Sequence, residues 1–410
     1  MRNATSVVTV RQRRAAVGLL LAMVLLGVFP LDVLLPSFPA LATHFTRSPA
    51  DIALSISLFA VGIAFAQLLI GPLSDVIGRN SLLIAGMSVS MLGALGCVMT
   101  RDYSLFLFFR VLQALGCGCF VLSQALVQDL FEAAERDRLR ILLVTATGIF
   151  ISVSPLAGTF LQATLGWRGS FWVFTALSAV VLVKAWMFLP NSRPADSGAR
   201  VSFIGAYRRV LVDVEFVGYW LISAFAFACH FSFIVISPLI FMDQLQLTPY
   251  DFSLILLVYG AAYIVGGIVA AALNRRITPV QQMFTGLSLI LLAGLAMLYL
   301  AAWHTLAPLT VLIPMLICTA GTTIARPAAT SRAMSLFPEN AGTSASAGST
   351  MIFICGGLIS ALISLSPSNL QATLGYCFVL LSAIALLLIH RLSRRSNHLA
   401  AETCVQPGGD

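Results

Sequence analysis

The chain has 410 residues, of which 59% are hydrophobic and only 10% are charged. Soluble globular proteins are about 45–50% apolar and about 25% charged, so this composition excludes a water-soluble enzyme. The apolar stretches are continuous rather than alternating, which also excludes a β-barrel. The formal net charge is +8. It can be interpreted only once the positions of the basic residues along the chain are known.

Twelve apolar runs follow one another along the chain, and a membrane-spanning helix needs about 20 such residues. The runs cover residues 15–38, 52–71, 81–100, 103–129, 139–164, 169–189, 216–241, 252–273, 280–302, 306–330, 343–365 and 371–391. The sequence therefore predicts an all-α membrane protein with 12 transmembrane helices. The basic residues before the first run are typical of a signal peptide, but eleven more runs follow, so we interpret it as an uncleaved first span.

The longest polar connection divides the chain into two similar halves. We predict an N-terminal six-helix bundle over residues 1–189 and a cytoplasmic linker over residues 190–215. A C-terminal six-helix bundle over residues 216–391 and a cytoplasmic tail over residues 392–410 complete the chain.

Short segments of the first half recur in the second. SPADIAL at residues 48–54 returns as TPYDFSL at 248–254, and QATLGW at 162–167 returns as QATLGY at 371–376. In the first pair, Ser/Thr or Asp is expected to cap the second helix of each half, with Pro in its first turn. Six spans per copy is an even number, so the copies share one orientation. They are predicted to be two parallel repeats about an axis along the membrane normal.

The basic residues are distributed unequally between the two sides. With a cytoplasmic N-terminus, 20 of the 24 lie in inner segments, three lie in outer loops, and one, Arg110, lies inside a span. This bias predicts that both termini are cytoplasmic, and we expect the chain to lie in a bacterial inner membrane. The net charge is thus explained by topology, and we infer no nucleic-acid partner from it. The lipid bilayer is an expected partner, and we expect a monomer.

Cofactor-dependent chemistry has little support. The single lysine, Lys184, excludes a P-loop, which needs a Lys in its Gly-rich turn. No HExxH motif is present, and no cysteine has metal-ligand spacing with histidine. We expect no metal or organic cofactor and no enzymatic activity.

The segment GPLSDVIGRN, residues 71–80, lies between the second and third predicted helices. Gly71, Asp75, Gly78 and Arg79 match the signature of the major facilitator superfamily at its usual place, and the chain resembles that family. Glycine allows a tight turn there. The resemblance implies that Asp75 and Arg79 form a conformational latch by bridging to charges or helix ends of the other half.

Further segments resemble the Bcr/CflA branch of this family, whose members are drug:proton antiporters. They include LDVLLPSFP at residues 31–39, RVLQALG at 110–116 and LFPENAGTSASA at 336–347. This resemblance implies export of small molecules such as drugs by alternating access, with the proton gradient as the energy source. Export of a siderophore, another metallophore or a different anionic metabolite is an open alternative, and proton-coupled nutrient uptake is less favoured.

Two charged residues, Asp32 and Arg110, lie more than five residues from either end of a predicted span. Ions are costly in hydrocarbon, so such residues usually face a cavity and have a function. The resemblance implies that Asp32 takes part in proton coupling or substrate binding, and that Arg110 and Gln113 belong to the proton-linked network. The simpler alternatives are a helix-end position near the outer headgroups for Asp32 and a structural pair for Arg110.

The predicted fifth helix carries TGIFISVSPLAGT, residues 147–159, a partial match to the family's antiporter signature. The match retains Gly148, Pro155 and Gly158. Glycine permits close helix packing and proline kinks a helix, so a plain packing helix explains the same residues equally well.

Candidates in the second half are one histidine, several aromatic residues and one arginine. His230 lies in the middle of the seventh run and could titrate or bind substrate, although a histidine among aromatics is more often structural. An arginine near the inner end of the tenth helix could attract an anionic group or simply mark the membrane interface. The candidates for lining a cavity are Phe227, Phe231, Tyr259, Tyr263 and Arg326.

Overall fold

The computed structural model describes residues 10–123, 126–127, 131, 133–188, 203–337, 341–366 and 369–405. These residues are almost entirely α-helical, with short 3₁₀ and π segments between helices and no strand among them. They form fourteen α-helices. Their bounds are α1 Val10–Asp32, α2 Phe38–Phe45, α3 Pro49–Ile77, α4 Arg79–Met99, α5 Tyr103–Cys117, α6 Ala133–Leu165, α7 Arg168–Phe188, α8 Phe203–Val212, α9 Val214–Pro238, α10 Pro249–Leu273, α11 Pro279–Trp303, α12 Pro308–Leu336, α13 Ala341–Ser364 and α14 Leu370–Val405.

Twelve helical segments of the described chain are long and apolar enough to cross a membrane. The predicted number of spans is therefore confirmed. The first span is longer than predicted: it runs over Ala16–Phe45 rather than residues 15–38, because α2 continues it beyond a break.

Polar residues in the short connections start several helices. Ser48 and Thr248, which occupy the same place in the two copies, each accept a hydrogen bond of 3.2 Å from a backbone N–H three residues on. Those donors are Asp51 and Asp251. This satisfies one of the backbone donors that every helix leaves free in its first turn. The predicted capping of the second helix in each half is confirmed.

Both ends of the second half differ in detail from the predicted segments. The linker predicted over residues 190–215 contains α8, and the Tyr207 hydroxyl of this helix donates a 2.8 Å hydrogen bond to the Ser346 hydroxyl of α13. The last helix does not end at residue 391. It continues to Val405, although its apolar span ends at Arg394.

The described residues belong to two compact units. Unit 1 takes the chain up to Thr46 together with Phe65–Arg200, and unit 2 takes Arg47–Ala64 together with the chain from Val201 on. The division runs through α3, whereas the sequence predicted a boundary in the linker alone. The first part of α3 packs within unit 2, where the hydroxyls of Ser57 and Ser360 are 2.8 Å apart.

The same four helix pairings recur in the two units. In unit 1, α1 packs against α6 and α7, and α4 packs against α5 and α7. In unit 2, α9 packs against α13 and α14, and α11 packs against α12 and α14. Counted in spans, the first helix of each half meets the fifth and sixth, and the third meets the fourth and sixth. This recurrence supports the predicted two six-helix repeats.

One glycine sets how closely α4 and α5 approach. A Cβ atom added at Gly93 would lie 2.7 Å from the Cα and 2.8 Å from the Cβ of Gln113. Real Cβ atoms do not come that close to backbone, so only glycine fits. Gly93 therefore fixes the position of Gln113, one of the predicted site residues.

We expect Gly93→Ala to lower the thermal unfolding temperature of the detergent-solubilised protein. Overpacking of this kind typically costs about 1–3 kcal/mol. Gly267→Ala is the matched control, because a Cβ at Gly267 of α10 would meet nothing within 4 Å. Equal melting temperatures for the two variants would contradict the close α4–α5 approach.

Candidate functional site: a broken helix in unit 1 and an aromatic–arginine cluster in unit 2

The helix of the first span is broken near its middle. α1 ends at Asp32, the 17th of the 30 residues in this span, and a 3₁₀ turn over Leu35–Ser37 leads into α2. Pro36 has no N–H and cannot donate to the carbonyl of Asp32, as a helical residue would. Pro30 lies in the last turn of α1. The break therefore leaves backbone carbonyls inside the span that need partners from elsewhere.

Arg110 of α5 supplies such a partner. The side chain is fully buried, and its Nη2 donates a 3.1 Å hydrogen bond to the carbonyl of Pro30. Nη1 donates to Oε1 of Gln113 at 2.8 Å, and the guanidinium carbon lies 5.8 Å from the centroid of the Phe171 ring. A cation at this place also faces the negative end of the α1 dipole. Arg110 thus caps the broken end of α1.

Asp32 lies beside this cap but is not paired with it. Its side chain is only 9% exposed, and no residue in the described part of the chain forms a hydrogen bond or ion pair with its carboxylate. An unpaired carboxylate is costly in low-dielectric surroundings, and binding a proton or a cationic group removes that cost. Asp32 is the 17th residue of this 30-residue apolar span, and its role stays a prediction.

Helix α6 closes the break from another side. Gly158 lies against Val33, the first residue after α1. A Cβ atom added at Gly158 would come within 3.0 Å of the carbonyl carbon of Val33. Ser37 donates a 2.9 Å hydrogen bond to Oε1 of Gln162. The motif predicted on α6 therefore allows this helix to pack close to the break. Its role in antiport stays a prediction. The other two motif residues lie in the same helix, namely Gly148 and Pro155.

A cavity with room for about one water molecule lies beside the Arg110–Gln113 pair. Its wall includes Pro30, Gln113 and Ser170. The Ser170 hydroxyl is buried and has no hydrogen-bond partner in the part of unit 1 that the structure describes. The sequence analysis missed this residue, because a single serine in an apolar run carries no signal.

The predicted latch segment is more helical than expected. Residues 71–77, including Gly71, belong to α3, and the chain turns only at Gly78, where φ is +93°. Side chains other than glycine rarely adopt that backbone conformation. Arg79 begins α4. The Asp75 side chain lies outside what the structure describes, so the latch stays a prediction.

In unit 2, His230 of α9 is buried and forms a hydrogen bond with the hydroxyl of Tyr259 of α10. The two rings are stacked, with centroids 5.4 Å apart. Tyr263, one turn further along α10, lies 5.5 Å from the His230 ring. The structure therefore brings together three residues that the sequence could only nominate one by one.

Arg326 of α12 completes this group. Its guanidinium carbon lies 4.8 Å from the centroid of the Phe227 ring, and Phe227 stacks on Phe231 at 5.3 Å. Phe227 also lies 6.3 Å from His230. We call the whole set the aromatic–arginine cluster, comprising Phe227, Phe231, His230, Tyr259, Tyr263 and Arg326.

The chemistry that the two sites offer is that of isolated charges. No group of three or more metal-binding side chains occurs in the described residues. The break in unit 1 presents the unpaired carboxyl of Asp32, which can bind a proton or a cation. The aromatic–arginine cluster in unit 2 presents a guanidinium, which can bind an anion.

Comparison with known proteins agrees with this architecture. Residues 15–361 match the family model described as Major Facilitator Superfamily. The chain is 26% identical over 394 residues to Multidrug resistance protein D of Escherichia coli K12, covering 94% of this chain and 98% of that protein. It is 28% identical over 390 residues to the Chloramphenicol resistance protein of Pseudomonas aeruginosa, covering 90% and 89% of the two chains.

Solved structures show the same fold at low sequence identity. A bacterial homologue of the human lysosomal transporter Spinster superimposes with a TM-score of 0.73 at 15% identity, over 94% of this chain and 98% of that chain. The xylose transporter XylE from E. coli gives a TM-score of 0.71 at 13% identity, over 92% and 97% of the two chains.

We expect Arg110→Ala to lower the melting temperature of the purified protein, because the Pro30 carbonyl loses its donor. Hydrogen bonds from charged groups are worth about 1.5–3 kcal/mol. Lys184→Ala, at an exposed position of α7, is the control for loss of a positive charge. The capping role is contradicted if both variants melt at the same temperature.

Proposed function

The chain belongs to the Major Facilitator Superfamily, and we propose that it is a proton-coupled antiporter that exports small molecules by alternating access. The observation that carries this proposal is the unpaired, buried carboxyl of Asp32 at the break of the first span. The names of relatives that match over most of their length, which include two multidrug resistance proteins and a chloramphenicol resistance protein, support drug-like cargo.

The coupling follows from the electrostatics of that carboxyl. Asp32 is costly to keep ionised inside the span, and either a proton or a basic group of the substrate relieves the cost. One carboxylate cannot be neutralised by both at once. A proton that enters from the outside therefore favours release of the substrate, and loss of that proton to the cytoplasm restores the acceptor for the next cycle.

Arg110 serves in this scheme as a positioning residue. An arginine guanidinium stays protonated in proteins, so it does not exchange the transported proton. Its bonds to Pro30 and Gln113 fix the end of α1 and with it the site of Asp32. Movement of this end would change the surroundings of the carboxyl, which is the kind of two-state element that alternating access requires.

The orientation in the membrane is part of the proposal. The excess of basic residues on one side favours cytoplasmic termini in a bacterial inner membrane. With that orientation, an antiporter uses protons that move inward to drive substrate outward. We propose that one chain performs the cycle with the bilayer, protons and substrate as its partners.

Two other functions within the same family are kept as alternatives. The fold is shared with a solved structure named as a D-xylose-proton symporter, so uptake by symport is the first. Export of a siderophore, metallophore or other anionic metabolite is the second, and the aromatic–arginine cluster bears on it.

The test is transport of ethidium, whose positive charge can neutralise the Asp32 carboxylate, into everted membrane vesicles that carry an imposed pH gradient. We expect Asp32→Asn to reduce gradient-driven uptake at least tenfold, because the amide cannot bind and release a proton, while the protein is still inserted. Asp243→Asn is the matched control, since Asp243 is an exposed aspartate. Unchanged uptake by Asp32→Asn vesicles would eliminate this role for Asp32.

The energy source is tested in the same vesicles. Collapse of the pH gradient should stop transport, whereas ATP depletion at constant gradient should leave it unchanged. Accumulation in right-side-out vesicles that is driven by an inward proton gradient would instead identify a symporter.

A further inference from the structure

We propose that the aromatic–arginine cluster of unit 2 is a binding site for an organic anion, with Arg326 holding a carboxylate and the neighbouring rings contacting the apolar body of the ligand. The inference rests on the proposed transport function, because it names a chemical group that the cargo carries. It concerns binding alone, so it is testable without any proton gradient.

The first argument is the charge of Arg326. This side chain has no ion pair with any residue that the structure describes, and its buried Nε has no hydrogen-bond partner there. The helices that supply the cluster have acids only in their first turns, at Glu215 and Asp251. α12 contains no acidic residue at all. A cation within a span is expected to have a partner, and this unit supplies no nearby carboxylate from its described helices.

The second argument is the geometry of the guanidinium. The guanidinium carbon lies over the Phe227 ring, 4.8 Å from its centroid, and no residue that the structure describes accepts a hydrogen bond from the N–H groups of the guanidinium. A guanidinium presents these donors in a planar fork that matches the two oxygens of a carboxylate. The side chain is only partly buried, so a ligand can reach it.

The third argument is that the rest of the cluster is built to hold the arginine in place. Phe227 is fixed by the Phe231 ring, by the Phe353 ring at 5.4 Å, and by Gly356. A Cβ at Gly356 would lie 2.7 Å from the Cε1 atom of Phe227, so a side chain there would displace the ring. Arginine stacked on a fixed aromatic ring loses little further freedom when it binds.

The remaining cluster residues suit the same ligand. His230 and Tyr263 both lie close enough to Arg326 to interact electrostatically with its charge. Tyr263 is partly exposed. A tyrosine hydroxyl can donate to a second oxygen of an anion. His230 and Tyr259 are buried, so the partly exposed Tyr263, which lies 5.5 Å from the His230 ring, is the ring of these three that a ligand can contact. The cluster therefore favours an anion with an aromatic body over a small inorganic anion.

The experiment is equilibrium binding of 2-naphthoate to the purified full chain in a neutral maltoside detergent. The uncharged 2-naphthamide, which has the same shape, is the matched ligand. We expect 2-naphthoate to bind the native protein, and 2-naphthamide to bind about 10–100-fold more weakly, as loss of a charge-assisted pair predicts. Arg326→Gln should weaken 2-naphthoate binding by a similar factor and leave binding of the amide unchanged.

Arg332→Gln is the control variant, because Arg332 is an exposed arginine of the same helix, and it should bind 2-naphthoate like the native protein. Arg326→Lys keeps the positive charge but lacks the planar pair of donors, so it should bind 2-naphthoate several-fold more weakly than the native protein. This variant tests the role of Arg326 if Arg326→Gln fails to fold. Asp32→Asn should bind 2-naphthoate normally, so failure of proton coupling and failure of this site are distinguishable.

Three results would overturn the proposal. They are that the native protein binds neither ligand, that it binds both equally well, and that the Arg326→Gln variant retains 2-naphthoate binding. If added phosphatidylglycerol stabilises the native protein but not Arg326→Gln, while 2-naphthoate has no effect, the cluster binds an anionic lipid headgroup. That result also overturns the proposal.

Discussion

Inside a membrane span every backbone carbonyl and N–H needs a partner within the protein, and the break after Asp32 would violate that requirement without help from other helices. Much of unit 1 serves to provide this help. Arg110 donates to the carbonyl of Pro30, and Gly158 lets α6 approach the backbone next to the break. Gly93 in turn fixes the α5 backbone at Gln113. A carboxyl group can therefore sit unpaired in the middle of a span without loss of the fold around it.

The two arginines Arg110 and Arg326 show that the same side chain has opposite consequences in different surroundings. Arg110 has a carbonyl, an amide and an aromatic face as partners, so its positive charge is used within the protein. Arg326 has an aromatic face, but no residue that the structure describes accepts a hydrogen bond from its guanidinium. From composition alone, Arg110 and Arg326 are both positive charges in apolar segments and cannot be told apart. Their hydrogen bonds separate a residue that stabilises the fold from one that still has donors to offer.

The sequence predicted the spans and the repeats well, because hydropathy and capping are local properties. The pairs Ser48–Asp51 and Thr248–Asp251 show that even helix starts were readable. The break in the first span was not predicted, although Pro30 and Pro36 were its signal, since apolar composition continues across it. The acceptor for Arg110 is a backbone carbonyl. Every residue has one, so the residue types do not show which carbonyl is the partner. The contact of His230 with Tyr259 joins separate helices, and no spacing rule reaches that far.

Coupling and recognition make different demands on a protein, and the proposed roles place them on different units. A coupling carboxyl must be isolated from fixed partners, because a permanent ion pair at Asp32 would remove its need for a proton. A recognition site must present donors in a fixed arrangement, as the rings around Arg326 do. With the carboxyl in unit 1 and the guanidinium in unit 2, residues that contact the rest of the cargo can change without altering the carboxyl that binds the proton.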